Sequence, residues 1–190
     1  ADGAPTREVH DHSFIGVDLP LEDEFLSSLN PKDVEERRAK VEGLLDTAAS
    51  MYLEADGEIA GGDQLDLLVT VLNEIDAHNL PTGSTFIRQL WVEITATDAG
   101  GAVLYQTGQL DSNGDLLDYW SEEDPYGDDD LLTLHSGLVD DRGNPTIFSW
   151  HATEHFSNSL SPLYDRTWTL FVPVPEDAEG EGDLVDCGTG

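Results

Sequence analysis

Positive charge is what this chain lacks most. Eight Lys and Arg stand against forty Asp and Glu in 190 residues, a formal net charge of −32 with a pI near 4.1. No basic patch is available to a polyanion, which argues against nucleic acid and against an anionic membrane surface as partners. Cysteine is nearly missing as well. The single Cys187 excludes an internal disulfide framework and any C-x-x-C metal or haem-attachment motif. Long apolar runs are absent too, and stretches such as 65–72 are far too short to cross a bilayer. No secretory n-region and h-region precede the fold, so the chain is expected as a mature protein, a cytosolic one or a piece of something larger.

What is present is a surplus of carboxylates spread along the whole chain and interleaved with apolar residues. Eight cations can pair with at most eight acids, so the net charge of −32 has to be held apart by counter-ions. The Debye length is about 8 Å at 0.15 M salt and about 3 Å at 1 M. Self-repulsion on this scale opposes a compact state in dilute buffer and is largely silenced in molar salt. The expectation is a folded domain from an extreme halophile, a haloarchaeon. An acidic disordered region and a dense calcium binder are the alternatives. Against disorder stand 38% hydrophobic residues, with four Trp, five Tyr and six Phe, enough apolar surface to offset the ordering entropy.

Along the chain, residues 1–29 read as an extended, histidine-containing arm with no sustained period. Residues 30–55 read as an amphipathic helix. Asn30 suits the N-cap, Pro31 the first helical position and Asp33 the positive end of the dipole. Val34, Val41, Leu44, Leu45, Ala48, Met51 and Tyr52 fall at helical spacings, and the helix is expected to stop near Glu54. Four of the eight basic residues, Lys32, Arg37, Arg38 and Lys40, sit in its first half, with Asp33–Arg37 and Glu36–Lys40 as i,i+4 pairs on a solvated face.

From 63 to 190 the pattern changes to short strands separated by turns. Candidate strands are 64–73, 86–97, 102–107, 131–138, 146–151, 166–174 and 184–186. In residues 90–97 the alternation puts Trp91, Glu93 and Thr95 on one face and Leu90, Val92, Ile94 and Ala96 on a buried one. Turn chemistry marks Asp98-Ala-Gly-Gly101, Ser112-Asn-Gly-Asp115 and Asp140-Asp-Arg-Gly-Asn144. The expected fold is mainly β, an immunoglobulin-like antiparallel sandwich of about seven strands preceded by the arm and one helix.

Six histidines stand out in so acidic a chain: His10, His12, His78, His135, His151 and His155. No H-E-x-x-H helix accompanies them, and no G-x-S-x-G elbow is present. Asp111-Ser-Asn-Gly-Asp115 offers oxygens at alternate positions but lacks the glycine and bidentate Glu spacing of a calcium loop, so a hairpin turn is the better reading. The most specific stretch is His78-Asn-Leu-Pro-Thr-Gly83, followed by Arg88 and Trp91. Pro81 fixes one backbone angle and Gly83 permits a positive φ, so a tight turn projects His78 from the end of strand 64–73.

That stretch, with Val92-Glu-Ile-Thr-Ala-Thr-Asp98 and Val103-Leu-Tyr-Gln-Thr-Gly108, resembles the C-terminal β-sandwich module of multihaem c-type cytochromes. His10-Asp-His12-Ser-Phe14-x-Gly16 is similar to a segment of that family that follows a haem-attachment site, and Pro162, Tyr164–Arg166 and Phe171–Pro175 resemble its closing strands. The resemblance implies an extracytoplasmic, non-catalytic electron-transfer module packing on haem c held outside this chain, in the same parent protein or a redox partner. It implies axial ligation of the haem iron by His78 and by His12, and a haem propionate as the partner of Arg88. The missing C-x-x-C-H is the departure: no haem is covalently attached here, and the start at the histidine arm points to an excised domain. A cell-surface binding or adhesion sandwich, calcium-dependent or not, is the competing class.

Overall fold

The computed structural model describes residues 26–27, 29–55, 60–83, 88–118, 121, 123 and 127–176. The chain divides into two compact units between Thr47 and Ala48. The first contains helix α1, Pro31–Leu45. The Asn30 side chain accepts from the Lys32 backbone N–H at 3.1 Å, and Pro31 opens the helix as its sequence predicts. The helix is shorter than expected. Asp46 donates its N–H to Glu42 O, and the Thr47 hydroxyl lies at hydrogen-bonding distance from both Gly43 O and Leu44 O, 3.1 and 3.2 Å. These bonds satisfy carbonyls that a continuing helix would have used. Only Val41 is buried along α1, while Leu44 and Leu45 are exposed. The predicted continuation to residue 55 is therefore corrected: Ala49–Ala55 is a strand, β1.

The second unit thus starts at Ala48 rather than at residue 63, and its described residues hold nine strands: β1, β2 Gln64–Asn73, β3 Gln89–Val92, β4 Ile94–Thr97, β5 Val103–Thr107, β6 Leu132–Asp140, β7 Pro145–Thr146, β8 Ala152–Ser157 and β9 Asp165–Pro173. All the pairings are antiparallel. β1, β2 and β9 form one sheet; β3, β6 and β7 form a second, with β8 also on β6; β4 and β5 form a two-stranded ribbon. One of the expected strand positions changes. Residues 146–151 are mostly a turn, and the strand that follows, β8, lies beyond them. The expected strand 184–186 lies outside the described residues, as do the arm's His10 and His12.

The core lies between the sheets. Leu67 and Val69 of β2 and Leu170 and Val172 of β9 meet Ile94 of β4 and Leu132 of β6. Val71, Leu134, Leu80 and Leu160 continue this packing with Ala48. Period-2 alternation explains the membership: in β2 the odd-numbered residues turn inward, and Leu67, Val69, Val71 and Asn73 are buried. In β1 it is Met51, Leu53 and Ala55 that pack on the core, a strand period that competes with the helical spacing counted in the sequence. Truncating Leu170 to Ala in such a core costs about 2–5 kcal/mol.

Residues 89–97 change partners midway. β3 pairs with β6, Glu93 intervenes, and β4 pairs with β5, while the predicted alternation holds throughout with Ile94 buried and Trp91, Glu93 and Thr95 exposed. The Trp91 indole N–H donates to Gly108 O at 3.1 Å and fixes this crossing to the end of β5. Gly108 has φ of 77°, and a Cβ there would collide with Val92 O, so glycine is required on both counts. An acid between β5 and β6 is structural: the Asp128 carboxylate accepts from the buried Thr107 hydroxyl and from Gly108 N, both at 2.8 Å.

Candidate functional site

The segment singled out in the sequence leaves β2 at Asn73, a fully buried residue. Its side-chain amide donates to His78 O at 2.9 Å and to Leu160 O and Ser161 O at 3.1 Å, while its Oδ1 accepts from Ile75 N at 3.0 Å. Its backbone N–H reaches Tyr164 O at 3.0 Å. One side chain thus ties the loop that follows β2 to residues 160–161, because buried polar groups have to be matched. Leu80 and Leu160 add a reciprocal pair of backbone bonds at 2.9 Å each. On this frame the backbone of His78 is fixed and its side chain is exposed.

The turn beyond it has a cis Leu80–Pro81 bond and a positive φ of 79° at Gly83, where the sequence placed the need for glycine. Arg88, half-buried at the start of β3, donates from Nη1 to Thr82 O at 3.0 Å and lies over Gly83. Of the predicted site residues, His78 and Arg88 therefore belong to one loop system. His12 falls outside the described residues. Among the described residues the ion pair within 4 Å is Glu36–Lys40 at 3.6 Å, so Arg88 has no carboxylate partner there despite the forty acids of the chain.

The other face of Arg88's surroundings is an open cleft of about 870 Å³ over β3, β6 and the strands β7 and β8 that pair with β6. Its floor is made by β6 and β8. Gly137 stands opposite Phe156 in register, and a Cβ at Gly137 would collide with the Phe156 ring. Glycine inside a strand here is the space into which the ring lies. His135, two residues earlier, meets Phe156 edge-on with ring centroids 5.4 Å apart at 84°. The His135 Nδ1 lies 3.2 Å from the Thr133 hydroxyl, and its backbone N–H donates to Asn158 Oδ1 at 2.6 Å. Ile147 and Phe148 form the wall, and Phe148 continues outward to Trp150, centroids 5.0 Å apart, and to His151 at 5.7 Å. Trp150 is 74% exposed. His155 is exposed on β8.

The Asp111–Asp115 stretch closes as a hairpin turn. Asp111 Oδ1 accepts from Asn113 N and Asp115 N at 2.8 and 2.9 Å, and Oδ2 accepts from the Ser121 hydroxyl at 3.2 Å. These bonds, the one from Asp115 first, hold the Asp111 carboxyl below its ordinary value. Asp140 repeats the design with Asn144 N and Arg142 N, and its carboxyl is likewise held low, chiefly by Asn144. Tyr105 moves the other way: burial, then its hydrogen bond to Asp130, raises its phenol well above the usual value.

Sequence reasoning missed Asn73, Asn158 and the Gly137–Phe156 contact. Each acts across tens of residues of chain, and only Gly137 inside an apolar strand leaves a local trace.

These features sit on a β-rich chain that resembles part of a multihaem cytochrome c. A solved structure carrying the likeness is the penta-haem cytochrome c552 from Thermochromatium tepidum, 27% identical with a TM-score of 0.52. The match covers 72% of this chain and 30% of that one, so this chain spans less than a third of that protein's length. No protein-family model matches the chain, and a search of curated proteins finds no match.

Proposed function

We propose that this chain is the non-catalytic β-sandwich module of an extracytoplasmic multihaem cytochrome of an extreme halophile, a haloarchaeon, packing on haem held outside the chain. The carrying observation is the exposed His78 imidazole on a loop whose backbone is fixed by Asn73 and whose turn is fastened by Arg88. A ligand held at its backbone loses little freedom when it binds a metal. The residues present fit one role and exclude another. With one cysteine, the chain has no paired thiols for covalent attachment, whereas the His78 imidazole at the surface could ligate an iron carried by a neighbour. Bound haem would supply one-electron redox chemistry, and this chain's part is to hold His78, and His12 from the arm, as ligands. The likeness to the penta-haem protein supports this reading. The partner is then the haem-bearing region of the same parent protein or a separate redox protein.

The test is haem titration of the full chain in molar salt. A low-spin shift of the Soret band is expected, weakened in His78→Ala. An identical spectrum in that variant overturns the role of His78. Coding sequence adjoining this chain should also carry several C-x-x-C-H motifs, and their absence there and in neighbouring genes would remove the cytochrome reading.

A further inference from the structure

Arg88 is an anomaly of charge. In a chain with five acids for every base, a half-buried guanidinium would be expected to have a carboxylate beside it; among the described residues Arg88 has only the carbonyl of Thr82. A planar fork with five donors, only one bond of which is used here, is suited to an oxyanion in two-point contact. It lines a cleft of mixed surface, in which polar residues such as Thr133, His135 and Thr146 border an apolar stretch: Phe156 lying on Gly137, then Leu138, Ile147 and Phe148. The last two, like Phe156, are exposed to an extent unusual for side chains of their size. The acid at this end of the cleft, Asp118, accepts from the Gln89 side chain at 3.3 Å instead of pairing with Arg88.

We infer that this cleft is a binding site for a flat apolar ring system bearing a carboxylate, with the ring over Phe156 and between Ile147 and Phe148 and the carboxylate on Arg88. The aromatic floor supplies area and the guanidinium supplies orientation, the usual division of labour in a ligand pocket. A chain of net charge −32 repels anions at long range, so selectivity here has to come from contact. In 1 M salt, where screening acts within about 3 Å, only that contact term remains. Two sources offer this chemistry: a free aromatic acid, or the propionate edge of a tetrapyrrole held by a partner. The second source rests on the cytochrome reading; the site itself does not.

The experiment titrates the full chain in 1 M salt with 2-naphthoate, with metal-free protoporphyrin IX and with the neutral ester of each, following tryptophan fluorescence. Without iron, axial ligation by His78 plays no part, so failure here leaves the haem reading standing, and failure of that reading leaves this site standing. At least one acid should bind, about tenfold or more tighter than its ester, the size of effect expected of a charge-assisted hydrogen bond. Binding of naphthoate identifies a free acid as sufficient; binding of the porphyrin alone identifies the tetrapyrrole edge. Arg88→Gln should abolish the preference for acid over ester. Gln89→Glu, at an exposed position beside Arg88, should do the same without disturbing the Thr82 contact. Equal affinity for acid and ester, an unaltered preference in both variants, or no binding of either acid overturns the proposal.

Discussion

Two kinds of loop meet in this domain, and they are built on opposite principles. The aspartate turns at Asp98, Asp111 and Asp140 close on themselves: each carboxylate accepts from a backbone N–H four residues on, and a glycine with φ of 84°, 85° or 82° occupies the fourth position. The His78 loop closes on distant chain. Its carbonyl is held by Asn73, which also holds Leu160 and Ser161, and Leu80 pairs with Leu160. The first kind is cheap to place anywhere and carries no side chain in a set direction. The second costs long-range order and delivers one imidazole from a fixed backbone.

The contrast can be broken most forcefully at Asn73. Asn73→Ala leaves the carbonyl of His78 and the N–H of Ile75 without the side-chain partner at the buried Asn73. The carbonyls of Leu160 and Ser161 lose one of two donors and keep the backbone N–H of Leu80 and Tyr164. A loss of about 2–4 kcal/mol is expected, from the desolvation penalty of unmatched buried groups. Urea unfolding in molar salt measures it, and a loss below 1 kcal/mol would show that the loop does not depend on this amide. A self-contained turn should be more forgiving. A Cβ at Gly143 meets nothing within 4 Å, so Gly143→Ala pays only the left-handed backbone, about 1–2 kcal/mol by the same measurement. Asn73→Ala should exceed it; equal costs would erase the distinction.

The smallest effect is in pH. Asp111 and Asp140 have lowered carboxyl pKa values in the folded state, so the unfolded chain binds protons more readily. Their contribution is complete above the ordinary value of 3.8 and is lost as pH falls through it towards the lower folded values. In dilute buffer, relief of charge repulsion on acidification opposes this, and molar salt removes that interference. Denaturation midpoints in molar salt should therefore fall below about pH 4. Asp140→Asn, which keeps an acceptor oxygen but cannot titrate, should flatten the acid limb. A limb of unchanged slope would assign the acid loss to other carboxylates.

The same contrast explains what could be read from the sequence. Strand 64–73 has the predicted bounds because its alternation is uninterrupted, and the three aspartate turns declare themselves by local chemistry. The end of α1 was obscured because Ala48, Met51 and Tyr52 satisfy a helical spacing while Met51, Leu53 and Ala55 satisfy a strand one; pairing with β2 decides it. β8 has no signal of its own: Thr153–Ser157 are all exposed, and only β6 makes the segment a strand. His78 and Arg88 stood out in the sequence because histidine and basic residues are few, whereas nothing local marks the buried Asn73.

Glu93 lies between a strand paired to β6 and one paired to β5, with the Trp91 indole fastened across to Gly108. Under load this point differs from the rest of the sandwich. Elsewhere the sheets are joined by loops of several residues or more, but here a single residue of backbone links one hydrogen-bonded layer to the next. A neighbour tugging on either layer pulls on both, which makes the crossing a mechanical clutch between them.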